Sequence, residues 1–303
     1  MRIVTRPDFD GIVCAVLLRE AENIDRDILW TEPNEIQKGQ VNIFKDDIMA
    51  NLPWSPDCGL WFDHHISNKP IQDFQGAFEI APSAAGVIYK YYKERKKINS
   101  NFDELVLNTD IIDAADLNID QVRYPENYPY ILLSMTIRNQ EYKDIPYWNK
   151  LIDLLMKTDI DHIIADPEVK KRCYNVIKEN TAFERHLSTH TKIINKISIT
   201  DFRPLDIVPE GNRFLIYSLF PETIASVKLR FGSSKHQSGR QNVQLSIGHS
   251  IFKKQCNVNI GNLLARYGGG GHAGAGGCTL DAETADKTIE EILEIMFQNK
   301  KEI

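Results

Sequence analysis

In Leu60-Trp61-Phe62-Asp63-His64-His65, a carboxylate and two imidazoles follow three apolar residues. A short buried strand ending here would deliver all three polar groups to one point. Neutral histidine nitrogens and an ionised aspartate suit Mn, Zn or Fe and leave room for a bound water. The competing reading is an Asp–His hydrogen bond with the second histidine facing solvent. Near the start, Pro7-Asp8-Phe9-Asp10-Gly11 sets two carboxylates on either side of Phe9, where both can aim at one point. One of them alone would be an ordinary helix N-cap, with the glycine serving the turn. Asp110, Asp113 and Asp116 follow at helical spacing. Asp110 shares one face with Asp113, and Asp113 another with Asp116. Ala114 and Ala115 would let Asp113 sit close to packed backbone. The alternative is a set of solvated acids on an exposed face.

These groups need elements to position them. Met1–Thr5 reads as a strand, and the continuous apolar run Ile12–Leu18 as a nearly all-buried helix. Gln40–Phe44 alternates like a strand and ends in Lys45-Asp46-Asp47, and Leu60–Phe62 is the next strand. Three successive strand ends thus leave acids or histidines on what would be one sheet edge. Ligands collect at the carboxyl ends of such strands. The alternation of strands and helices predicts an α/β domain, a parallel sheet with helices on both faces. Helices are expected over Ser83–Lys93 and Leu105–Leu117, a Tyr- and Pro-rich loop over Pro125–Pro146, and helical structure from Tyr147 to about Ile197. His162, His186 and His190 fall among mixed charges there and read as surface or helix-packing residues.

Residues 1–197 form the expected first domain, 198–211, with prolines and little periodicity, the linker, and 212–303 the second domain. In the latter, Arg213–Leu219, Ile224–Phe231 and Val243–Ile247 read as strands of a second sheet, with a loop at Gly232–Gly239. Ile260–Tyr267 reads as a helix leading into Gly268-Gly269-Gly270-Gly271-His272-Ala273-Gly274-Ala275-Gly276-Gly277. So glycine-rich a stretch costs backbone entropy at each residue. Its natural use is close approach of backbone N–H groups to an anion, with His272 as a further donor. The alternative, a flexible loop, would not need small residues continuing toward the strand at Cys278–Leu280.

Composition narrows the classes. At 303 residues, 42% hydrophobic and 26% charged, the chain is long enough for two domains with real cores. No apolar run approaches a membrane span, and Met1-Arg2-Ile3-Val4 has no signal-peptide layout. Five scattered cysteines without CxxC spacing fit reduced thiols, so a cytoplasmic protein is expected. A net charge of −6 argues against coating duplex DNA. Between Gly211 and Asn257, however, seven Lys/Arg face one acid, Glu222. A local basic face suits a small anionic substrate. Lysines guarding edge strands would look the same.

Taken in order, Asp8-x-Asp10, the acids after the next strand, Asp63-His64-His65, the helical Asp113 and the Gly268–His272 run resemble the DHH phosphoesterase superfamily. The variant resembled carries the first type of DHH-associated C-terminal domain, and its nearest members are the exopolyphosphatase-related and oligoribonuclease-like phosphoesterases. The resemblance spans nearly the whole chain. It implies a parallel-sheet domain binding two Mn2+ or Mg2+ ions and a smaller mixed-sheet α/β domain that closes over the substrate. By position it makes Asp8, Asp10, His64 and Asp113 metal ligands and Asp47 the bridging acid, with Asp46 its rival. Asp63 would orient the histidines and His65 would face phosphate. His272 with Gly269, Gly270 and Gly271 would grip the far phosphate or carboxylate of the substrate. Two departures stand out: Thr5 replaces the usual histidine ligand, and His249 stands about where the family has a substrate-contacting arginine. The activity implied is metal-assisted hydrolysis of a phosphoric ester or anhydride, with the two ions about 3.5–4 Å apart. Candidate substrates are a short oligonucleotide, a nucleoside bisphosphate, a cyclic dinucleotide or polyphosphate. Expected partners are this small phosphate-containing substrate, extending to a short single-stranded oligonucleotide, no membrane, and a second copy of the chain as a homodimer. The alternatives are a catalytically weak nucleotide-binding regulator of the same fold and, third, an exonuclease on longer single strands.

Overall fold

Ile3, Val4, Ile48, Met49, Ala50, Trp61 and Phe62 are fully buried, so the strands that carry them have no solvated face. Continuous apolar strands of this kind belong to a parallel sheet covered on both sides. The computed structural model, which describes residues 1–138, 142–235 and 241–300, shows that sheet. Its strands β1 (Arg2–Thr5), β2 (Leu29–Trp30), β3 (Asp47–Ala50), β4 (Leu60–Asp63) and β5 (Gly76–Phe78) run parallel in the order β2-β1-β3-β4-β5. Helix Phe9–Ala21 is buried at every residue from Phe9 to Leu18, and helices Ala84–Glu94, Asp103–Asp113 and Ile145–Lys157 pack against it. On the other sheet face Val4, Met49, Leu52 and Trp61 pack with Ile36 of the short helix Pro33–Gln37 and with Phe74 and Phe78.

The second strand of the sequence reading moves. Gln40–Phe44 is surface chain, with Phe44 49% exposed, and the strand begins at Asp47 in register with Arg2. Asp47 therefore lies at the amino end of the sheet, opposite the end where β1 leads to Asp8 and β4 ends at Asp63. Its fully buried carboxylate accepts from Arg2 Nη2 at 2.6 Å, Arg26 Nη2 at 3.2 Å and the Phe44 amide at 2.9 Å. Asp46 pairs with Arg26 at the same end. Neither acid stands near Asp8, Asp10 and His64, so neither is the bridging acid expected there; burial of the Asp47 charge is compensated by arginines instead.

A second compact unit gathers Asn118–Arg123 and Ile177–Ile303, the first gathering Met1–Leu117 and Tyr124–Val176. The division thus falls inside helix Pro167–His190, upstream of the expected linker. Strands β6 (Thr191–Ile194), β7 (Ile197–Asp201), β8 (Ala225–Lys235), β9 (Gln241–His249), β10 (Gly270–His272) and β11 (Ala275–Leu280) form a mixed sheet ordered β10-β11-β9-β8-β7-β6. Asn195 and Lys196, at φ 49° and 65°, make the two-residue turn between β6 and β7. The stretch 198–211 thus begins as strand, not linker. Val227, Leu229, Leu245, Ile247 and Leu280 form a core with helices Ile260–Ala265 and Ala285–Gln298. Arg213–Leu219, expected as a strand, contains helix Leu215–Leu219, because Leu215 to Ser218 are all buried with no alternation. Within the stretch read as a loop, Pro125–Pro146, the short helix Pro129–Ser134 forms and helix Ile145–Lys157 begins. The loop expected at 232–239 lies partly outside the described residues, at 236–239, and β8 runs through 232–235.

Asp47→Asn should lower the unfolding free energy by about 3 kcal/mol, the scale for breaking a buried ion pair from one side. Urea unfolding and Mn2+ titration of the variant check this, and Mn2+ affinity should stay within twofold of the parent.

Candidate metal centre

Four elements of the first unit meet at the carboxyl end of its sheet. After β1 the chain turns through Arg6-Pro7, and Asp8 caps helix Phe9–Ala21, its Oδ1 accepting from the Gly11 amide at 2.8 Å. Gly11 is required there, since a Cβ would stand 1.9 Å from the Arg6 carbonyl oxygen. Asp10, in the first turn of that helix, accepts from the amides of Ala85 at 2.8 Å and Ala84 at 3.0 Å. These are orphan donors at the start of helix Ala84–Glu94, so one carboxylate ties two helices together.

Asp63 ends β4 with no exposed surface. Its Oδ1 accepts from the His64 amide (2.8 Å), the His65 amide (3.3 Å) and His65 Nδ1 (2.8 Å), and its Oδ2 accepts from Asn68 Nδ2 (2.7 Å). With its acceptor positions used in this way, Asp63 positions the histidines. His64 Nδ1 donates to the Ala81 carbonyl at 2.9 Å, which leaves the Nε2 lone pair pointing at Asp113 Oδ2, 3.3 Å away. A backbone carbonyl that fixes the tautomer of a histidine is the usual support of a metal-ligating imidazole. His64 Nε2 is buried and has no hydrogen-bond partner. Asp113, the last residue of helix Asp103–Asp113, is presented where the chain turns at Ala115, φ 52°.

One ligand atom each from Asp10, His64 and Asp113 lies within 4.8 Å of the others, and the same holds for Asp63, His64 and His65. The charge balance is unfavourable without a cation. Burial, then the charge of Asp8, pushes the Asp10 carboxyl up to about 7. Burial, then Asp10 and Asp8, pushes Asp113 up to about 8. Asp8 is raised by burial against the opposing pull of Arg6, 3.3 Å away. The His65 imidazole is held above its ordinary range, first by its bond to Asp63. Carboxylate oxygens around an orphaned imidazole nitrogen fit a divalent cation such as Mn2+ or Mg2+.

The residue that β3 sends toward this end is Asn51, at φ 57°, whose Nδ2 donates to Asp8 Oδ1 at 3.0 Å. Its Oδ1 is a second buried atom without a partner. The sequence reading missed it; the apolar run Ile48-Met49-Ala50 just before it was the available signal. Thr5 is buried, with its hydroxyl donating to the Gly11 carbonyl at 3.4 Å.

In the second unit, β10 and β11 form a hairpin on helix Ile260–Ala265. Close backbone packing accounts for several of its glycines. A Cβ at Gly271 (φ 150°) would stand 2.2 Å from the Ala275 carbonyl oxygen, and one at Gly269 2.4 Å from that of Gly277. Gly270 is different, with nothing within 4 Å of where its Cβ would be, and His272 is exposed. His249 lies beside the hairpin, its amide donating to Gly274 O at 2.7 Å. Its Nε2 is engaged by the Val258 carbonyl at 2.9 Å, which leaves only the Nδ1 edge for a substrate.

No family model and no curated protein matches the sequence. Among solved structures, a pGpG-specific phosphodiesterase, PggH, from Vibrio cholerae is 33% identical with a TM-score of 0.84, the match covering 99% of both chains. An exopolyphosphatase-related protein from Bacteroides fragilis is 12% identical with a TM-score of 0.53, over 98% of this chain and 92% of that one. RecJ from Thermus thermophilus, solved with Mn2+, is 13% identical with a TM-score of 0.60, over all of this chain and 52% of RecJ. The last two share the fold.

A carboxyl raised by folding supports stability below its unfolded value and withdraws that support as pH climbs to its folded value. Chelator-treated protein should therefore lose thermal stability between about pH 4 and about pH 8 through Asp113, and Mn2+ should restore it. Asp113→Asn should flatten this slope; a slope unchanged in that variant would contradict the placement of Asp113.

Proposed function

The chain belongs to the DHH phosphoesterase superfamily, and on that footing we propose that it hydrolyses a phosphodiester or phosphoanhydride bond in a small anionic substrate with the help of Mn2+ or Mg2+. The observation that carries this reading is the orphaned, buried Nε2 of His64 facing Asp10 and Asp113. Asp8, Asp10, His64 and Asp113 would hold the metal. Divalent ions supply a nucleophile at neutral pH and neutralise charge that builds on phosphorus.

The other roles fall to the protein's own groups. Asp63 holds the His65 imidazole and both histidine amides, and the Ala81 carbonyl holds the His64 imidazole, so the direction of His64 Nε2 does not depend on the substrate. His65, 32% exposed and held above its ordinary range first by its bond to Asp63, can donate to a non-bridging phosphate oxygen when protonated. Gly269, Gly270, Gly271 and His272 would receive the far phosphate or carboxylate of the substrate, with His249 beside them. The acidic chain favours a short substrate, and the 33% identical relative named for pGpG puts a linear dinucleotide first. Polyphosphate, a nucleoside bisphosphate and a cyclic dinucleotide follow. No described helix is long and apolar enough to cross a membrane, and the five cysteines are free, which supports a cytoplasmic site of action.

A second reading, a nucleotide-binding regulator with weak metal affinity, has one specific support. Thr5 and Asn51 place neutral groups at two strand ends of the centre. Turnover separates the two readings. Metal-stripped protein is supplied with Mn2+ or Mg2+ and tested on pGpG, a nucleoside bisphosphate, a cyclic dinucleotide, polyphosphate and pyrophosphate. We expect cleavage of pGpG to mononucleotides. Several kcal/mol of lost charge stabilisation correspond to a fall of about a thousandfold in kcat/KM for His64→Ala and for Asp10→Asn. His65→Asn should lose about a hundredfold. Full activity in His64→Ala would refute the metal assignment, and tight nucleotide binding without product would decide for the regulator.

A further inference from the structure

The excess of cations between residues 211 and 257 has a definite place in the fold. Lys228 and Arg230 lie on β8, which is paired with β7 on one side and β9 on the other, so they do not guard an edge. Val227 and Leu229 face the core, and Ser226, Lys228 and Arg230 alternate onto the other face. The neighbours across the strands are neutral. Lys228 is opposite Thr200 on β7 and Ser246 on β9, and Arg230 is opposite Gln244. Thr200 bonds Thr191, and the carboxylate of Asp201 is taken by Arg203. Helix Leu215–Leu219 closes one end of this face, with the Tyr217 hydroxyl on Ser226 at 2.8 Å and Arg213 just before the helix.

Among the described residues, Arg213, Lys228 and Arg230 make no ion pair. Burial, then Arg230 and Arg213, holds the Lys228 ammonium below its ordinary range, against a weaker opposing pull from Glu210. Like charges gathered on one sheet face are unfavourable unless an anion joins them. At the other end, Arg230 and Gln244 line a cavity of about 720 Å3, within the range of small-molecule sites. Its wall includes Leu205, Ile207, Val208 and Phe231 together with one carboxylate, Asp206, and Ile207 is 84% exposed. The remaining cation of the wall, Arg203, is neutralised by Asp201 and Asp286. Lys228 and Arg230, unpaired, beside a mainly apolar wall that carries one amide and one carboxylate match a phosphate joined to a nucleobase, and an inorganic phosphate chain would leave the apolar wall unused.

We propose that this face of the second sheet is a nucleotide-anchoring site, with phosphate on Lys228 and Arg230 and the base against Ile207, its edge hydrogen-bonded by Gln244. The site deepens the phosphoesterase reading by narrowing its substrate to a nucleotide, and it rests on that reading only for this role in turnover. The test is isothermal titration of the full chain in EDTA with GMP, pGpG and inorganic pyrophosphate. GMP and pGpG should bind the parent more tightly than pyrophosphate. Lys228→Met and Arg230→Gln should each weaken all three ligands tenfold or more at unchanged thermal midpoint, and Ile207→Ser should weaken only the nucleotides. In Mn2+-supplied assays the KM for pGpG should rise to match. Nucleotide binding that survives both cation substitutions, or no nucleotide binding by the parent, overturns the site. Pyrophosphate binding as tight as GMP overturns the base slot. A parent that binds GMP and pGpG as expected yet never turns pGpG over with Mn2+ removes the hydrolase reading and leaves the anchoring site standing.

Discussion

Buried negative charge is the constraint on which the first unit depends. Asp8, Asp10 and Asp113 converge where three elements end, and Arg6 and backbone amides offset only part of that charge. The fold tolerates this because the surroundings are over-determined. Asp10 is held by two helix-initiating amides, His64 by a carbonyl, and both histidine backbones by Asp63. Repulsion among these groups is stored in a frame that cannot relax, which is what a cation-binding centre needs.

The opposite end of the same sheet shows the contrasting solution. Asp47 has no exposed surface, yet Arg2, Arg26 and the Phe44 amide satisfy it completely within the chain. Asp47 and the group Asp8, Asp10 and Asp113, at opposite ends of one sheet, thus have different fates, set by the end they occupy. An acid at the amino end meets the chain's own arginines, whereas those at the carboxyl end are left for a ligand.

Much of the centre was legible because its signals are local. Asp8 and Asp10 flank one residue at a turn, and Asp63-His64-His65 follows an apolar run, so strand, turn and helix periods all agreed there. Asp113 was readable only as one of three acids on a helix; tertiary packing selects it. The error at Asp47 came from competing patterns. Gln40–Phe44 alternates, but the continuous run Ile48-Met49-Ala50 fits a doubly covered central strand and wins the register with β1. Helix Leu215–Leu219 was misread for the reverse reason, since a short apolar run does not declare its period. In the second unit the glycine run was noticed as an anion cradle, but contacts invisible in a sequence explain Gly269 and Gly271 by strand packing.

Helix Phe9–Ala21 is enclosed on almost every side, and its first turn carries Asp10. A residue exchanged anywhere along it would shift Asp10 together with the core, so this segment has little room to drift. The polar face of the second sheet carries no such load: Arg230 and Gln244 can change without disturbing the packed layer beneath. Divergence among descendants of this chain would therefore concentrate on that face, and new ligand preferences could arise while the machinery for breaking bonds stayed the same.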